Sequence, residues 1–424
     1  MTRQRIVRAA ICAALVVTGE RVSLAAPSNS EPLAPAAAGA ADEASLSDER
    51  WIAQVRSSAS AKAAALLIDG RTDDLDRLVQ ESAAGTGRDA SGRWIRSQIY
   101  AGIASAFPDQ ADHPLWATLD RVTLGWMVRR AGSHAAALAR AQYWIARAWL
   151  ARGDGYPDAP SLEQMQAFET DLRQANGVLD AHERVSPSVV ADEPHWAVVR
   201  IKVANLVGDD KSAIHQLAIT ALQRHPDYDP IAAEAALALN PVWGGKSAEA
   251  KAFVDEAVTI ARPVSGEQMR ARIAIHLARN AGMDPALLLV GAGFTWETLK
   301  PGLDELVATY PDPYSLNAAR LLACISLDPA RARPYFERLQ GRIQSIAWYD
   351  NPWSVGDCAT KAGVALVGHA PWAEGYEGPT AAAPQARLLA LISPTVGLVS
   401  AGVFGAALIL MRRKRARSSR ASAR

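Results

Sequence analysis

Residues 221–239, ALQRHPDYDPIAAEAALAL, predict a helix, a short turn and a second helix in direct succession. Pro226 and Pro230 bracket the turn, because proline does not continue a helix from within it. The second helix is rich in alanine, whose small side chain lets neighbouring helices pack closely. Residues 305–325, ELVATYPDPYSLNAARLLACI, repeat the same order around a second turn of tyrosine and proline. Two such units predict antiparallel helix pairs that stack side by side.

Helical periodicity continues through most of the chain, from about residue 48 onward. In residues 136–153, AALARAQYWIARAWLARG, bulky apolar side chains recur among alanines, and Gly153 is placed to end the helix. No run alternates between apolar and polar residues as a half-buried β-strand would. Further helices are predicted over residues 161–184, 192–207, 210–224, 229–239, 247–262, 267–280, 295–309, 313–325 and 328–340. The predicted fold class is all-α, an irregular, solenoid-like stack of helix pairs, because no strict period of about 34 residues survives.

The N-terminal segment, residues 1–25, has the three parts of a secretory signal peptide. A basic start precedes an apolar run from Ala9 to Gly19, which is too short to span a bilayer, and small residues follow. Glu20 and Arg21 lie between the apolar run and the cleavage site, so an uncleaved N-terminus stays open as the alternative. Residues 26–46 are rich in proline, alanine and serine and predict a disordered linker.

An uncharged run near the other end predicts one transmembrane helix over residues 387–411. From Leu388 to Met411 the chain carries no charge, and at about 1.5 Å per residue it can cross a hydrocarbon core of about 30 Å. The tail of residues 412–424 is basic, which predicts that it lies on the cytoplasmic side of the membrane. The helical domain, residues 47–367, then lies on the outer or periplasmic side of the inner membrane, above a stalk of residues 368–386. A bacterial sorting tail that is later cut has the same features and stays an alternative.

Charge is unevenly distributed along the chain, although the formal net charge is only +1. Arginine and lysine are concentrated at the two ends, and the part between them is acidic. Nucleic-acid binding requires a basic surface, so no nucleic-acid partner is predicted. The expected partners are the membrane and a protein of the cell envelope.

Cys324 and Cys358 remain in the chain if the signal peptide is removed, in a compartment where disulfides persist. A bridge between them is one interpretation. Burial of Cys324 as a small core residue within an apolar helix is the other. Two cysteines are too few for the usual four-ligand structural zinc site.

Residues 238–250, ALNPVWGGKSAEA, share two glycines, Lys246 and Ser247 with a phosphate-binding loop. Asn240 takes the place of that motif's first glycine, and a helix rather than a strand precedes it. The stretch therefore predicts a turn between helices, with Ser247 capping the second one. The eight histidines show no metal-ligand spacing, and no nucleophile motif occurs. No catalytic residue, cofactor or metal is predicted.

Four segments carry patterns beyond helical periodicity: residues 146–156, 239–253, 293–312 and 320–336. They contain a tryptophan before Ala-Arg-Gly-x-Gly, a Pro-x-Trp-Gly-Gly turn, and a repeat unit with tryptophan, leucine and Tyr-Pro. In these patterns the chain resembles a bacterial domain family of unknown function, related to tetratricopeptide-like helical proteins. The resemblance implies a helical fold and no particular reaction. Its signature residues, interpreted as structural, are Trp149, Arg152, Gly153, Gly155, Pro241, Trp243, Gly244, Gly245, Trp296 and Tyr310.

Tryptophan is the main compositional excess, with 12 in the chain. Buried indoles fill gaps between alanine-rich helices, whereas indoles exposed in a groove stack on sugars or anchor peptides. Burial is predicted, and with it a helical-repeat module that binds another protein. The competing hypothesis is an envelope protein that binds or hydrolyses glycan or peptide in a tryptophan-lined groove. Burial of Trp243, Trp296 and Trp348, together with the lack of a cleft that gathers two acids, would remove support from that hypothesis.

Overall fold

The computed structural model describes residues 58–82, 87–153, 160–279, 284–326, 329–339, 358–360 and 362–364. Helices dominate these ranges and no β-strand occurs in them, which confirms the all-α prediction. The helices are α1 (Ala59–Ile68), α2 (Thr72–Glu81), α3 (Ile95–Ser105), α4 (Leu115–Arg129), α5 (His134–Arg152), α6 (Leu162–Val185), α7 (Val189–Asp192), α8 (Pro194–Val207), α9 (Lys211–Arg224), α10 (Asp229–Ala238), α11 (Ser247–Ser265), α12 (Gln268–Ala278), α13 (Pro285–Gly291), α14 (Trp296–Thr309), α15 (Pro313–Ile325) and α16 (Arg333–Leu339). Short 3-10 turns cover Pro241–Trp243 and Pro329–Ala332.

Side-chain caps set several helix boundaries. The hydroxyl of Ser133 accepts a hydrogen bond from the Ala136 amide, 3.1 Å away, at the start of α5. Gly153 ends α5 with a φ of 76°, which confirms its predicted role. The capping role predicted for Ser247 is wrong, because Ser247 is already the first residue of α11. Lys246 occupies the N-cap position and its side chain makes no capping hydrogen bond.

The helices enclose two apolar cores that meet at α8. The N-terminal core collects buried side chains from α1 to α6, and the C-terminal core collects them from α9 to α16. Trp196 and Val203 of α8 face the first core, whereas Val198 and Ile201 face the second. These two sets lie on different faces of one helix, so α8 joins both halves of the described chain.

Within the C-terminal half, alternate helices are neighbours. Helix α8 packs beside α10, α10 beside α12, and α12 beside α14. Helix α9 packs beside α11 on the other side of this row, and α11 contacts α13. In the N-terminal half the main pairs are α5 with α6 and α1 with α3. Residues far apart in sequence are thereby brought onto one surface of the row.

Gly102 lies where α3 crosses α1 at close range. A Cβ atom at this position would lie 2.0 Å from the carbonyl oxygen of Ser60, a backbone atom that cannot move by side-chain rotation. We therefore expect Gly102→Ala to lower the free energy of unfolding by about 1–3 kcal/mol. Gly177→Ala in α6 is the matched control, because nothing lies within 4 Å of its added Cβ. That variant should gain up to about 1 kcal/mol, and similar urea midpoints for the two variants would refute the close approach.

The predicted signal peptide, linker, stalk, transmembrane helix and basic tail lie outside the described residues. Among the helices listed above, none combines the length and the apolar character needed to cross a bilayer.

Candidate functional site

A tight loop, residues 87–94, lies between α2 and α3 and contacts the C-terminal half of the described chain. An isolated antiparallel bridge pairs Arg88 with Trp94 across it. The Asp89 carboxylate accepts hydrogen bonds from the amides of Ser91 and Arg93, at 2.9 and 3.0 Å. Burial acts to raise the pKa of Asp89, but the Arg93 charge and the hydrogen bonds outweigh it and hold this pKa below its usual range. The loop is thus fixed by its own carboxylate.

One side of the loop is anchored to the turn before α10. The Arg88 guanidinium donates to the carbonyl oxygen of Asp227 at 2.7 Å, and it lies 3.6 Å from the Asp229 carboxylate. The indole nitrogen of Trp94 donates to the same carbonyl at 2.9 Å. Arg88 also covers the Trp94 ring, with 4.1 Å between the guanidinium carbon and the ring centroid. Two loop side chains therefore converge on one backbone oxygen.

The tip of the loop rests on α12 and on the Tyr-Pro turn before α15. The carbonyl oxygen of Ser91 accepts a bond of 3.5 Å from the Ser315 hydroxyl. Arg93 lies over the Tyr314 ring at 4.1 Å. Gly92 has a φ of 72°, and a Cβ there would come within 2.6 Å of both Arg272 and Tyr310. The absence of a side chain at Gly92 is what allows this contact.

The loop covers part of a larger polar region, in which Glu234, Arg272, Tyr314 and Ser315 are buried. Lys202 of α8 lies 3.6 Å from Glu234 of α10, and Arg279, directly after α12, donates to the Tyr314 hydroxyl. His276 of α12 is exposed among these charges. We call this region the polar face; it comprises Lys202, Asp227, Asp229, Glu234, Arg272, His276, Arg279, Tyr310, Tyr314 and Ser315. It offers hydrogen-bonding groups of both charges next to a bound loop, which suits recognition of a polypeptide segment.

No family model, curated protein or solved structure matches this chain. The predicted resemblance to a family of helical domains therefore remains a prediction. Function has to be argued from the residues of the polar face and their surroundings.

Two of the signature segments meet in space. Trp149 at the end of α5 and Trp243 in the turn after α10 have ring centroids 6.3 Å apart. Trp149 also contacts Phe168 at 5.4 Å, and the Arg152 guanidinium lies over the Trp149 ring at 5.4 Å. This contact joins the N-terminal pair of α5 and α6 to the C-terminal row of helices.

The glycines of the second segment shape its turn. Gly244 has a φ of 80° directly after the Pro241–Trp243 turn. A Cβ on Gly245 would lie 1.8 Å from the carbonyl oxygen of Leu239, so the chain folds tightly back on α10. Gly155, in the first segment, lies outside the described residues. The contacts seen for these residues are packing contacts.

The remaining signature residues lie at the two ends of α14. Trp296 packs against the C-terminal core and the Arg331 guanidinium lies over its ring at 5.3 Å. Tyr310 follows α14 and faces Arg272, with 5.3 Å between guanidinium and ring centroid. Of the predicted residues, only Tyr310 belongs to the polar face.

Burial of the tryptophans varies. Trp126 and Trp196 are fully buried, as predicted, whereas Trp149 is 37% exposed. Trp243 and Trp296 are partly buried against the C-terminal core. Trp348 lies outside the described residues. Among the described residues no three histidine, cysteine, aspartate or glutamate side chains are grouped to hold a metal ion.

Cys324 and Cys358 are joined by a disulfide, with their Cα atoms 5.9 Å apart. Both are 1% exposed, so the bridge lies within the C-terminal core. The two interpretations of Cys324, bridged cysteine and core residue, therefore apply together.

A buried polar network lies next to the loop, where α3, α8 and the turn before α10 meet. The Tyr100 hydroxyl donates to the Glu193 carboxylate at 3.1 Å, and Arg96 lies 3.6 Å from that carboxylate. The His195 ring stacks on Tyr100 at 4.4 Å, and its Nδ1 lies 3.0 Å from the Tyr228 hydroxyl. Burial lowers the pKa of His195 to about 3, and the charges of Lys202 and Arg96 act in the same direction.

Stability is expected to fall as the pH drops below about 6.5, the ordinary pKa of histidine. The unfolded chain then binds a proton at His195 that the folded chain refuses until about pH 3. Between these two pH values the free energy of unfolding should fall by up to about 1.4 kcal/mol per pH unit. Glu193, whose pKa is raised by burial, opposes this trend, so the measurement is the difference between wild type and His195→Gln. Parallel pH profiles of their urea midpoints would contradict the neutral state of His195.

The polar face was not predicted from the sequence. Its residues come from four segments spread over positions 202–315, and each has an ordinary helical or turn neighbourhood. The signal that was available is the repeated Tyr-Pro turn, because Tyr228, Tyr310 and Tyr314 flank the loop.

Proposed function

We propose that this chain is an exported, membrane-anchored helical-repeat protein whose polar face binds a peptide segment of a partner in the cell envelope. The order of α8, α10, α12 and α14 supports a stack of tetratricopeptide-like helix pairs. One observation carries the proposal: the polar face already holds a polypeptide loop, residues 87–94.

The loop shows which groups the polar face recognises. Arg88 and Trp94 of the loop donate to a backbone carbonyl oxygen of the polar face. A serine hydroxyl of the polar face donates to a loop carbonyl oxygen, and a loop arginine packs over a tyrosine ring of the polar face. These groups also hold peptides at interfaces between proteins. Exposed His276 and half-exposed Lys202 extend the polar face beyond the loop.

The location outside the cytoplasm rests on the sequence. Residues 1–25 and 387–411 predict export and anchoring, and the Cys324–Cys358 disulfide is supporting evidence because such bonds persist in oxidising compartments.

Site-specific photocrosslinking in cells that express the full-length chain tests the proposal. A photoreactive residue at His276 should give a discrete crosslinked product, whereas one at Val128, which is 70% exposed on α4, should not. Lys202→Gln, which removes the half-exposed charge beside Glu234, should weaken the product from position 276. Equal products from both positions would argue against a binding face.

Topology needs a separate test. With a tag at the C-terminus, external protease should digest residues 58–364 and leave the tag in the membrane fraction. Protection of the helical domain under these conditions would place it in the cytoplasm and remove the envelope partner from the proposal.

A further inference from the structure

Arg272 of α12 is a buried arginine with two guanidinium nitrogens that no described residue hydrogen-bonds. It is 7% exposed, and its Nε and Nη2 atoms are fully covered yet have no hydrogen-bond partner within the described part of the chain. A guanidinium carries five N–H donors in a planar fork, and buried donors are normally satisfied. Leaving such donors unpaired is costly, so this group calls for an acceptor that the described residues do not provide.

The surrounding charges leave Arg272 with an incomplete counterion. Asp229 is the acidic group that stabilises its charge, but the carboxylate of Asp229 also lies 3.6 Å from Arg88. Burial accordingly lowers the pKa of Arg272, with Asp229 opposing. Asp229 is thus shared between two arginines, of which Arg88 also lies 3.4 Å from the Asp227 carboxylate.

A second arginine, Arg279, lies directly after the last residue of α12, about two helical turns from Arg272. The Nε atom of Arg279 is also buried without a hydrogen bond in the described residues, while its Nη1 donates to the Tyr314 hydroxyl. Tyr310 and Tyr314 flank the pair, with ring centroids 5.3 Å from the Arg272 guanidinium and 5.5 Å from that of Arg279. The phenol rings fix both guanidinium planes by packing on them.

We propose that Arg272, with Arg279 and the two tyrosines, forms a binding site for an oxyanion, either a carboxylate or a phosphate. The planar fork of a guanidinium matches two oxygens of either group in a bidentate arrangement. Gly92 lies directly over Nη2 of Arg272, so the loop of residues 87–94 covers the site, and an anion can bind only if this loop moves away from Arg272.

The site does not depend on a protein partner, so small anions test it separately from the proposed function. The full-length chain is titrated with sodium phosphate or with sodium glutarate, a dicarboxylate, at constant ionic strength set by sodium chloride. A bound anion should raise the melting temperature saturably, by about 3–8 °C once it exceeds its Kd a hundredfold. The stronger of the two responses identifies phosphate or carboxylate as the preferred ligand.

Arg272→Gln should abolish the saturable rise, and Arg279→Gln should weaken it. Arg121→Gln, which neutralises an exposed arginine of α4, is the matched control and should keep the full response. In chloride alone Arg272→Met should melt no lower than wild type, because it removes a buried charge that lacks a full counterion. An equal rise in wild type and Arg272→Gln, or no saturable rise in wild type with either anion, would overturn the proposal.

Discussion

Trp196→Ala is expected to lower the free energy of unfolding by about 3–5 kcal/mol, the usual cost of emptying a large aromatic site in a core. Trp196 is 0% exposed and lies on α8, the helix shared by both cores. Its indole nitrogen also donates to the Glu183 carboxylate at 2.7 Å. Removing this side chain therefore weakens packing at the junction of the two halves. Urea unfolding of the full-length chain measures the change.

Trp149→Ala provides the matched control for that substitution. Trp149 is 37% exposed at the end of α5, so the same truncation removes less buried surface there. We expect Trp149→Ala to lower the free energy of unfolding by less than half as much as Trp196→Ala does. Equal losses at the two positions would show that burial of Trp196 at the junction does not contribute as proposed.

Loss of the Cys324–Cys358 disulfide is the second large effect expected. The bridge joins cysteines 34 residues apart in sequence and restricts the unfolded chain. On the chain-entropy scale a loop of this length contributes about 3–4 kcal/mol. Cys358→Ala should lower the free energy of unfolding by this amount under oxidising conditions.

Reduction supplies the internal control for the disulfide. Dithiothreitol should destabilise wild type by a similar amount and leave Cys358→Ala unchanged. The double variant with Cys324→Ala should lie close to the single one, because both remove the same bond and Cys324 has a small side chain. Detection by mass spectrometry of native chain in which Cys324 and Cys358 are both free thiols would refute the bridge. It would also weaken the case for an oxidising compartment.

Much of the fold could be predicted from the sequence because it is local. The 3.6-residue period of apolar side chains gave the helices, and Gly153 gave the end of α5. Boundaries were less certain: Ser247 was expected to cap α11 and is its first residue instead. A cap depends on backbone dihedrals at one residue, which composition alone does not set.

The candidate site could not be predicted from the sequence, because it depends on contacts between residues far apart in the chain. Periodicity states which residues share a helix face but not what that face meets, so the same evidence could not separate buried Trp196 from half-exposed Trp149. Arg88 and Asp227 are 139 residues apart in sequence, and nothing local to either one indicates their contact.

The sequence by itself determined the all-α class and the positions of most helices, because both follow from short-range patterns of apolar, small and charged residues. Only the tertiary structure decided that residues 87–94 lie on the polar face and that Arg272 is enclosed beneath Gly92. The physical reason is that hydrogen-bond partners and burial are properties of neighbours in space, and the row of alternate helices brings these neighbours together from distant parts of the chain.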